Sequence, residues 1–369
     1  MSSNHKKKES VASPSSNAES MKCALVTDFA KKFGEVEDII TFSTNFPRPV
    51  LDQKKKQMIV RVLCCSIAAG DSIVLGGKII FLRPKLPFVP GMDVCGVVEA
   101  VTDKVKDFKV GDIVAANNGF MPVGGMAEYM LVDASLAVFK PPSVDIIQAA
   151  ACSSAVTSLH SVKNVKKGDR VLVLGGSGGV GSSAIRLAKN AGASFIATTS
   201  TQHAMCSSLG ADEVINYNEE NWWERDTFRN NPFDIVIDTV GGGNFYGKAV
   251  HVLKSNKRGG HFIAVTGDDP KPDLTTWFKA IRFLIKIPGR PLWTRIRRAK
   301  YPRFTTLMPY DETNGLAQVL ALIEKGDLEI ILDESSPLPF TEEGVKTAFK
   351  TQGYGHAHGK VVVKMESVQ

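Results

Sequence analysis

The sequence predicts a two-domain α/β protein, with a partly open β-rich unit joined to a doubly wound parallel sheet. Three observations carry this. At 369 residues the chain exceeds the size that one hydrophobic core usually serves. From Met21 to about Pro142, short β-prone runs are punctuated by Gly and Pro, the style of an open β domain. From Ile146 onward helical and strand spacing alternate, and strands separated by helices lie parallel in one sheet.

Taken in order, Met1–Ser20 is rich in Ser, Asn and Lys and has no apolar core. It reads as a disordered tail, not a secretory signal. Met58–Cys65, Asp93–Val101, Phe108–Ala115 and Gly124–Val132 are β-prone, and Ile146–Lys163 is helical in spacing. Asp169–Leu174 is a buried strand that turns on glycines into a helix running through Ser182–Lys189. Phe195–Thr199, Glu213–Tyr217, Asp234–Asp238 and Gly260–Val265 supply further strands, with a helix opening at Met205. Glu312–Lys325 and Val345–Lys350 read as helices. Gly359–Lys364 is a terminal strand in the style of the first half and is expected to fold back onto it. The expected division is 1–20 as tail, 21–144 with 306–369 as one unit, and 145–305 as the other. No apolar run reaches the roughly 18–20 residues of a membrane span.

Chemistry concentrates at the glycine turn. Gly176, Gly178 and Gly181 stand in G-x-G-x-x-G order at a strand-to-helix junction. A dinucleotide pyrophosphate needs such a tight turn, backbone without Cβ atoms, and a helix N-terminus aimed at anionic oxygens. Gly175-x-Ser177-x-Gly179 also satisfies the nucleophile elbow of serine hydrolases, with Asp238 and either His261 or His356 as nominal partners. The repeated strand–helix array behind the turn favours the dinucleotide, so Ser177 reads as a small residue beside the pyrophosphate.

Six cysteines lie scattered in apolar surroundings without C-x-x-C spacing, which fits buried, reduced thiols of a cytoplasmic chain. Cys64 and Cys65 read as core. His356-x-His358 lacks further ligands and reads as solvent-exposed, so no metal is expected. The net charge of +7 is concentrated: between Leu274 and Tyr310 stand nine Lys or Arg and no acid. On a helical wheel Trp277, Phe278, Ile281, Leu284 and Ile285 share one face, opposite Lys279, Arg282 and Lys286, until Pro288 and Gly289 break the helix. This basic amphipathic insert of about 275–303 is expected to pack its apolar face on the nucleotide domain. The second reading is a peripheral contact with an anionic lipid surface through Trp277–Arg303; nucleic acid ranks last.

The ordered motifs resemble a known family. They are Pro90-Gly91-Met92-Asp93-Val94-Cys95-Gly96, Val110-Gly111-Asp112, Gly124-Gly125-x-Ala127-Glu128-Tyr129 and Gly175–Gly181. Leu209-Gly210-Ala211-Asp212, Asp238–Gly242 and Gly355–Lys360 follow. Together they resemble the medium-chain dehydrogenase/reductase superfamily, in its zinc-free quinone oxidoreductase or enoyl-reductase-like branch, over nearly everything after Met21. The resemblance implies a GroES-like catalytic domain, a Rossmann domain and, often, a homodimer. Zinc-dependent relatives carry a catalytic Cys near Ile67–Asp71, Gly-His-Glu where this chain has Gly91-Met92-Asp93, and a four-cysteine lobe. None of these stands here, so a tetrahedral zinc lacks its ligands. Alcohol oxidation then loses its Lewis acid, whereas reduction of an activated C=C bond or a quinone needs only positioned hydride and a proton.

The resemblance also assigns residues. Ser177, Gly178, Gly179 and Val180 face the pyrophosphate with Gly176. Thr199 and Ser200 lie at the tip of the second strand, where Thr198–Gln202 offers no acid to repel a 2′-phosphate, so NADP(H) is expected over NAD. Tyr217 matches a family Tyr near that phosphate, although Gln202 stands where NADP users often have Lys. Thr157, Val265 and Thr266 are placed on the nicotinamide side, Val240 and Gly241 on the adenosine side, and Lys360 is either within reach of the cofactor or a solvated strand residue. Asp71 is either a proton relay or a turn-stabilising residue. Ala68 stands where the family often has Asn. The implied activity is NADPH-dependent reduction of a small electrophilic substrate, a quinone or an α,β-unsaturated carbonyl. The alternative is a catalytically weak nucleotide-binding adaptor at a membrane.

Overall fold

A computed structural model describes residues 19–118, 124–266, 273–286, 289–307, 312–355 and 357–365. Most of the expected tail, Pro288 and His356 lie outside them. The first half holds seven strands, β1 (Ser20–Val26), β2 (Ile40–Pro47), β3 (Gln57–Ile67), β4 (Asp93–Val101), β5 (Ile113–Asn117), β6 (Tyr129–Asp133) and β7 (Ala137–Phe139), with helix α1 (Ala69–Leu75) between β3 and β4. Then come α2 (Ile146–Ala150), α3 (Ser153–Val162), β8 (Arg170–Leu174), α4 (Gly179–Asn190), β9 (Phe195–Thr199), α5 (His203–Ser208), β10 (Glu213–Ile215) and α6 (Asp226–Asn230). β11 (Ile235–Asp238), α7 (Phe245–Ala249), β12 (His261–Ala264), α8 (Trp277–Lys286), α9 (Gly289–Ile296) and β13 (Arg303–Thr306) follow. The chain ends with α10 (Glu312–Glu324), β14 (Leu338–Pro339), α11 (Glu342–Gly353) and β15 (Val361–Lys364).

Strand periodicity explains the first sheet. In β3, Met58, Val60 and Val62 are buried while Ile59, Arg61 and Leu63 are half-buried, and from Cys64 onward every residue is buried. One face of a strand is covered along its length and both faces only where helices pack behind it. The sheet runs β14-β15-β3-β4-β5-β7, with β6 also on β3. As expected, the terminal strand folds back: β15 pairs antiparallel with β3.

The second sheet is parallel throughout, in the order β10-β9-β8-β11-β12-β13. That is the doubly wound order whose switch point lies between β8 and β11, where ligands bind at the strand C-termini. Val171 and Val173 enter the core on one face, and Leu172 and Leu174 the core on the other. An apolar run without alternation is therefore required here.

Local differences from the sequence reading have physical causes. The expected helix over 146–163 is two helices, broken where Ser153 turns its hydroxyl onto Asp93. The strand expected to reach Tyr217 stops at Ile215, because the Asn216 side chain accepts from the Asn218 N–H and turns the chain. The basic segment lies in the crossover from β12 to β13. Its packing also departs from expectation. Ala280 and Phe283 of α8 pack on Ile73, Ile79 and Leu82 of the β-rich half, whereas Trp277, Phe278 and Ile281 are exposed. The side chains of Leu284–Lys286 lie outside the described set.

Candidate active site

Each glycine of the turn has its own reason. A Cβ on Gly176 would lie 2.0 Å from Thr198 Oγ1, and one on Gly181 would lie 2.0 Å from the Gly175 carbonyl oxygen. These two glycines let strand and helix approach. Gly178 differs: a Cβ there would meet only the Gly175 oxygen, at 3.6 Å. It faces open space that a bound group can fill. Gly178 is also the N-cap of α4, with no side-chain cap, so first-turn N–H groups are left for an anion. Thr199 pins the turn to the neighbouring strand, its Oγ1 accepting from Gly175 N at 3.0 Å and its carbonyl from Gly176 N at 3.0 Å.

The turn opens on a cleft of about 610 Å³, within the range of small-molecule and cofactor sites. Ser177, Gly178, Gly179, Val180, Thr199, Tyr217, Val240 and Lys360 all line it. Seven other residues singled out in the sequence do not. Gly176 lies beneath the turn. Ser200 is buried, its Oγ accepting from Gln202 N at 2.9 Å. Gly241 donates to Asp238 at 2.9 Å. Thr157 donates back to the Ser153 carbonyl at 3.4 Å. Val265 packs in the core below, and Thr266 holds a buried hydroxyl with no partner among the described residues. Asp71 is buried and does not line the cleft, although Ala68 and Ala69 do.

Sequence reasoning missed the aromatic wall of Trp222, Trp223 and Phe245, together with Ser154 and His358. The Trp222-Trp223 pair just after β10 was its only local signal. His358 corrects an expectation: it is half-buried, with Nε2 3.1 Å from Gln202 Nε2. Its buried Nδ1 has no partner among the described residues.

Below the cleft lies a buried charged cluster. Lys360, 2% exposed, donates to the Ile67 carbonyl at 3.1 Å and lies 3.6 Å from Asp93 Oδ2. Asp93 also accepts from Asn117 and Ser153 and, at 3.5 Å, from Ser66 Oγ. Asp71 caps α1 reciprocally: its Oδ2 accepts from Ala68 N at 2.9 Å, and its own N–H donates to the Ala68 carbonyl at 3.1 Å. Burial, reinforced by the charge of Asp93, pushes the Asp71 carboxyl up to about 7, against the pull of the Ala68 N–H and Lys360. This half of the molecule also touches the turn directly, with Gly359 N donating to the Ser177 carbonyl at 2.8 Å.

The hydrolase reading loses His261 on register, and His356 lies outside the described residues. His261 pairs with Ile235, which pairs with Val171. It therefore stands three residues back along the sheet from Leu174, roughly 10 Å from the strand ends that carry Ser177. Burial and the charge of Arg303 lower its imidazole to about 4. A catalytic zinc also fits poorly. The described residues hold no group of three His, Cys, Asp or Glu suited to a metal ion, and Asp93 already faces the Lys360 ammonium at 3.6 Å. A dinucleotide fits, as shown by the open side of Gly178, the uncapped α4 and the orphaned His358 Nδ1 in the wall.

Fold and cleft together define a dinucleotide-dependent oxidoreductase. Comparison with known proteins gives its family. Residues 54–143 match the alcohol dehydrogenase GroES-like domain and residues 209–363 the zinc-binding dehydrogenase family. The chain is 32% identical over 338 residues to the NADPH-dependent alkenal/one oxidoreductase, chloroplastic, of Arabidopsis thaliana, covering 88% of this chain and 76% of that one. It is 32% identical over 355 residues to the 2-methylene-furan-3-one reductase of Solanum lycopersicum, covering 93% and 79%. The quinone oxidoreductase structure from Coxiella burnetii superposes with a TM-score of 0.76 at 26% identity, over 94% of this chain and 100% of that one. The chain belongs to the medium-chain dehydrogenase/reductase superfamily, in its quinone oxidoreductase-like branch.

Proposed function

We propose that the protein is an NADPH-dependent, zinc-independent reductase of quinones or α,β-unsaturated carbonyl compounds. The observation that carries this reading is the cleft itself, in which an uncapped helix N-terminus at Gly178 lies with Thr199, the start of a strand tip, Thr199–Gln202, that carries no acid. The relatives named for NADPH and for alkenal or furanone reduction support it. The first-turn N–H groups of α4 bind the pyrophosphate, and Thr199 holds the turn in register for it. Tyr217 and Val240 flank the adenosine end. When bound, the reduced nicotinamide supplies a hydride to an electrophilic carbon of the substrate. Lys360, fixed by Asp93 and the Ile67 carbonyl, places a positive charge at the cleft floor. Ala68 leaves the facing wall apolar, which suits an apolar electrophile held by packing. The unit of 21–144 with 306–369 contributes this floor and wall, and 145–305 the nucleotide side.

The test is steady-state NADPH oxidation against a panel of quinones and enones, with and without a zinc chelator. Turnover that survives chelation supports the reading. NADPH binding without turnover on any member of the panel would sink it and favour a nucleotide-binding adaptor instead.

A further inference from the structure

We propose that the outer face of α8 and α9 docks on an anionic lipid bilayer. In α8, Trp277, Phe278 and Ile281 are 63%, 75% and 54% exposed, at i, i+1 and i+4 on one side of the helix. In α9, Leu292, Trp293 and Ile296 repeat that spacing at 61%, 39% and 74% exposed. The inward sides are already occupied. Ala280 and Phe283 pack on the β-rich half, and the Thr294 hydroxyl accepts from Phe304 N at 3.2 Å. The two helices touch, so six large apolar side chains sit on adjoining elements. Exposed apolar area of that extent marks an interaction surface.

Charge selects the occupant. Arg282, Arg295, Arg297, Arg298 and Lys300 are exposed on the same segment. Among the described residues Asp273, the acid that precedes α8 in sequence, is taken by Lys279 at 2.9 Å. Trp and aliphatic side chains beside Arg and Lys on short helices are what enter the headgroup region of an anionic membrane and stay there. A nucleic acid would use the cations and stack on the indoles but would leave Ile281, Leu292 and Ile296 in water. A second copy docking through the same face would bring two cationic sets together. No helix among the described residues is long and apolar enough to cross a membrane, so the contact is peripheral. The proposal goes beyond the reductase reading and does not rest on it.

The experiment is sucrose-gradient flotation of the full chain with phosphatidylcholine vesicles, with and without phosphatidylglycerol, at low and high salt. The protein is expected to float only with the anionic vesicles and to be released by salt. Two double variants, W277S with F278S and R295E with R298E, should each lower the bound fraction at least about tenfold. Both should keep the wild-type thermal melt and NADPH binding, since these side chains are exposed. The proposal is overturned if the folded protein fails to float, if it floats equally on neutral vesicles, or if both variants bind as wild type. It is equally overturned if the substitutions abolish self-association or RNA binding while lipid binding is absent.

Discussion

Single atoms decide what each glycine of the turn does. Gly178→Ala adds a methyl to open space at φ −76°, so the variant should melt with the wild type. Its NADPH dissociation constant should rise about tenfold, because the methyl stands where the backbone must approach the ligand. Gly181→Ala instead drives a methyl to 2.0 Å from the Gly175 oxygen, and such overpacking costs about 1–3 kcal/mol. Its melting temperature should fall; equal melts for the two variants would contradict this division of roles. Asp71 gives a pH signature. Its carboxyl, raised to about 7 in the folded state, binds a proton more tightly there than in the unfolded chain. The stability it contributes is therefore complete below the ordinary carboxylate range and lost as pH climbs through about 7. Asp71→Asn keeps an acceptor for the Ala68 N–H and does not titrate. Melts at pH values on either side of that value should show the variant gaining on the wild type as pH rises.

At the scale of elements, the β8 turn and the strand–helix array were legible because local spacing encodes them. A glycine order and a strand period are read within a few residues. The cleft wall was not. Trp222 and Trp223 follow β10 and Phe245 opens α7 after β11, and only the fold brings them into one cleft with Gly178. The amphipathic pattern of α8 was legible, but Trp277, Phe278 and Ile281 of the face it marks are exposed and Ala280 and Phe283 pack instead, since periodicity states that a face is apolar and not what covers it. The tip of β9 carries its own prediction. Gln202 is half-buried beside the cleft and linked to His358, so Gln202→Lys adds a cation where a 2′-phosphate is expected. A charge at about 4 Å in a partly exposed setting is worth a few kcal/mol at most. Fluorescence titration should show tighter NADPH binding with NADH affinity unchanged; equal gains for both would move the phosphate site elsewhere.

At the scale of the molecule, one apolar core crosses between the two sheets. Cys64, Cys95, Ala115 and Val362 of the first sheet cluster with Val171, Val173 and Ile237 of the second and with Leu316 and Leu320 of α10. The Gly359–Ser177 hydrogen bond and the Ser153–Asp93 contact tie the same seam with polar groups. Two units sharing a core should unfold together. Calorimetry should show a single transition whose van't Hoff and calorimetric enthalpies agree; two resolved transitions would refute that coupling. None of these pairings was readable beforehand, because each joins residues distant in sequence.

The position of α8 and α9 between β12 and β13 has a consequence for how this surface can change over time. Two adjacent parallel strands cannot be joined by a tight turn; they require a crossover of a dozen or more residues. Topology therefore obliges the chain to own this segment whatever the segment does. Lineages descended from this protein can repaint its outer side, exchanging Trp277 or Arg295 for other residues, or shorten it, but some crossover must remain for β13 to pair in parallel with β12. Any acquired attachment is carried on a connection the sheet requires, and is reversible by point mutation.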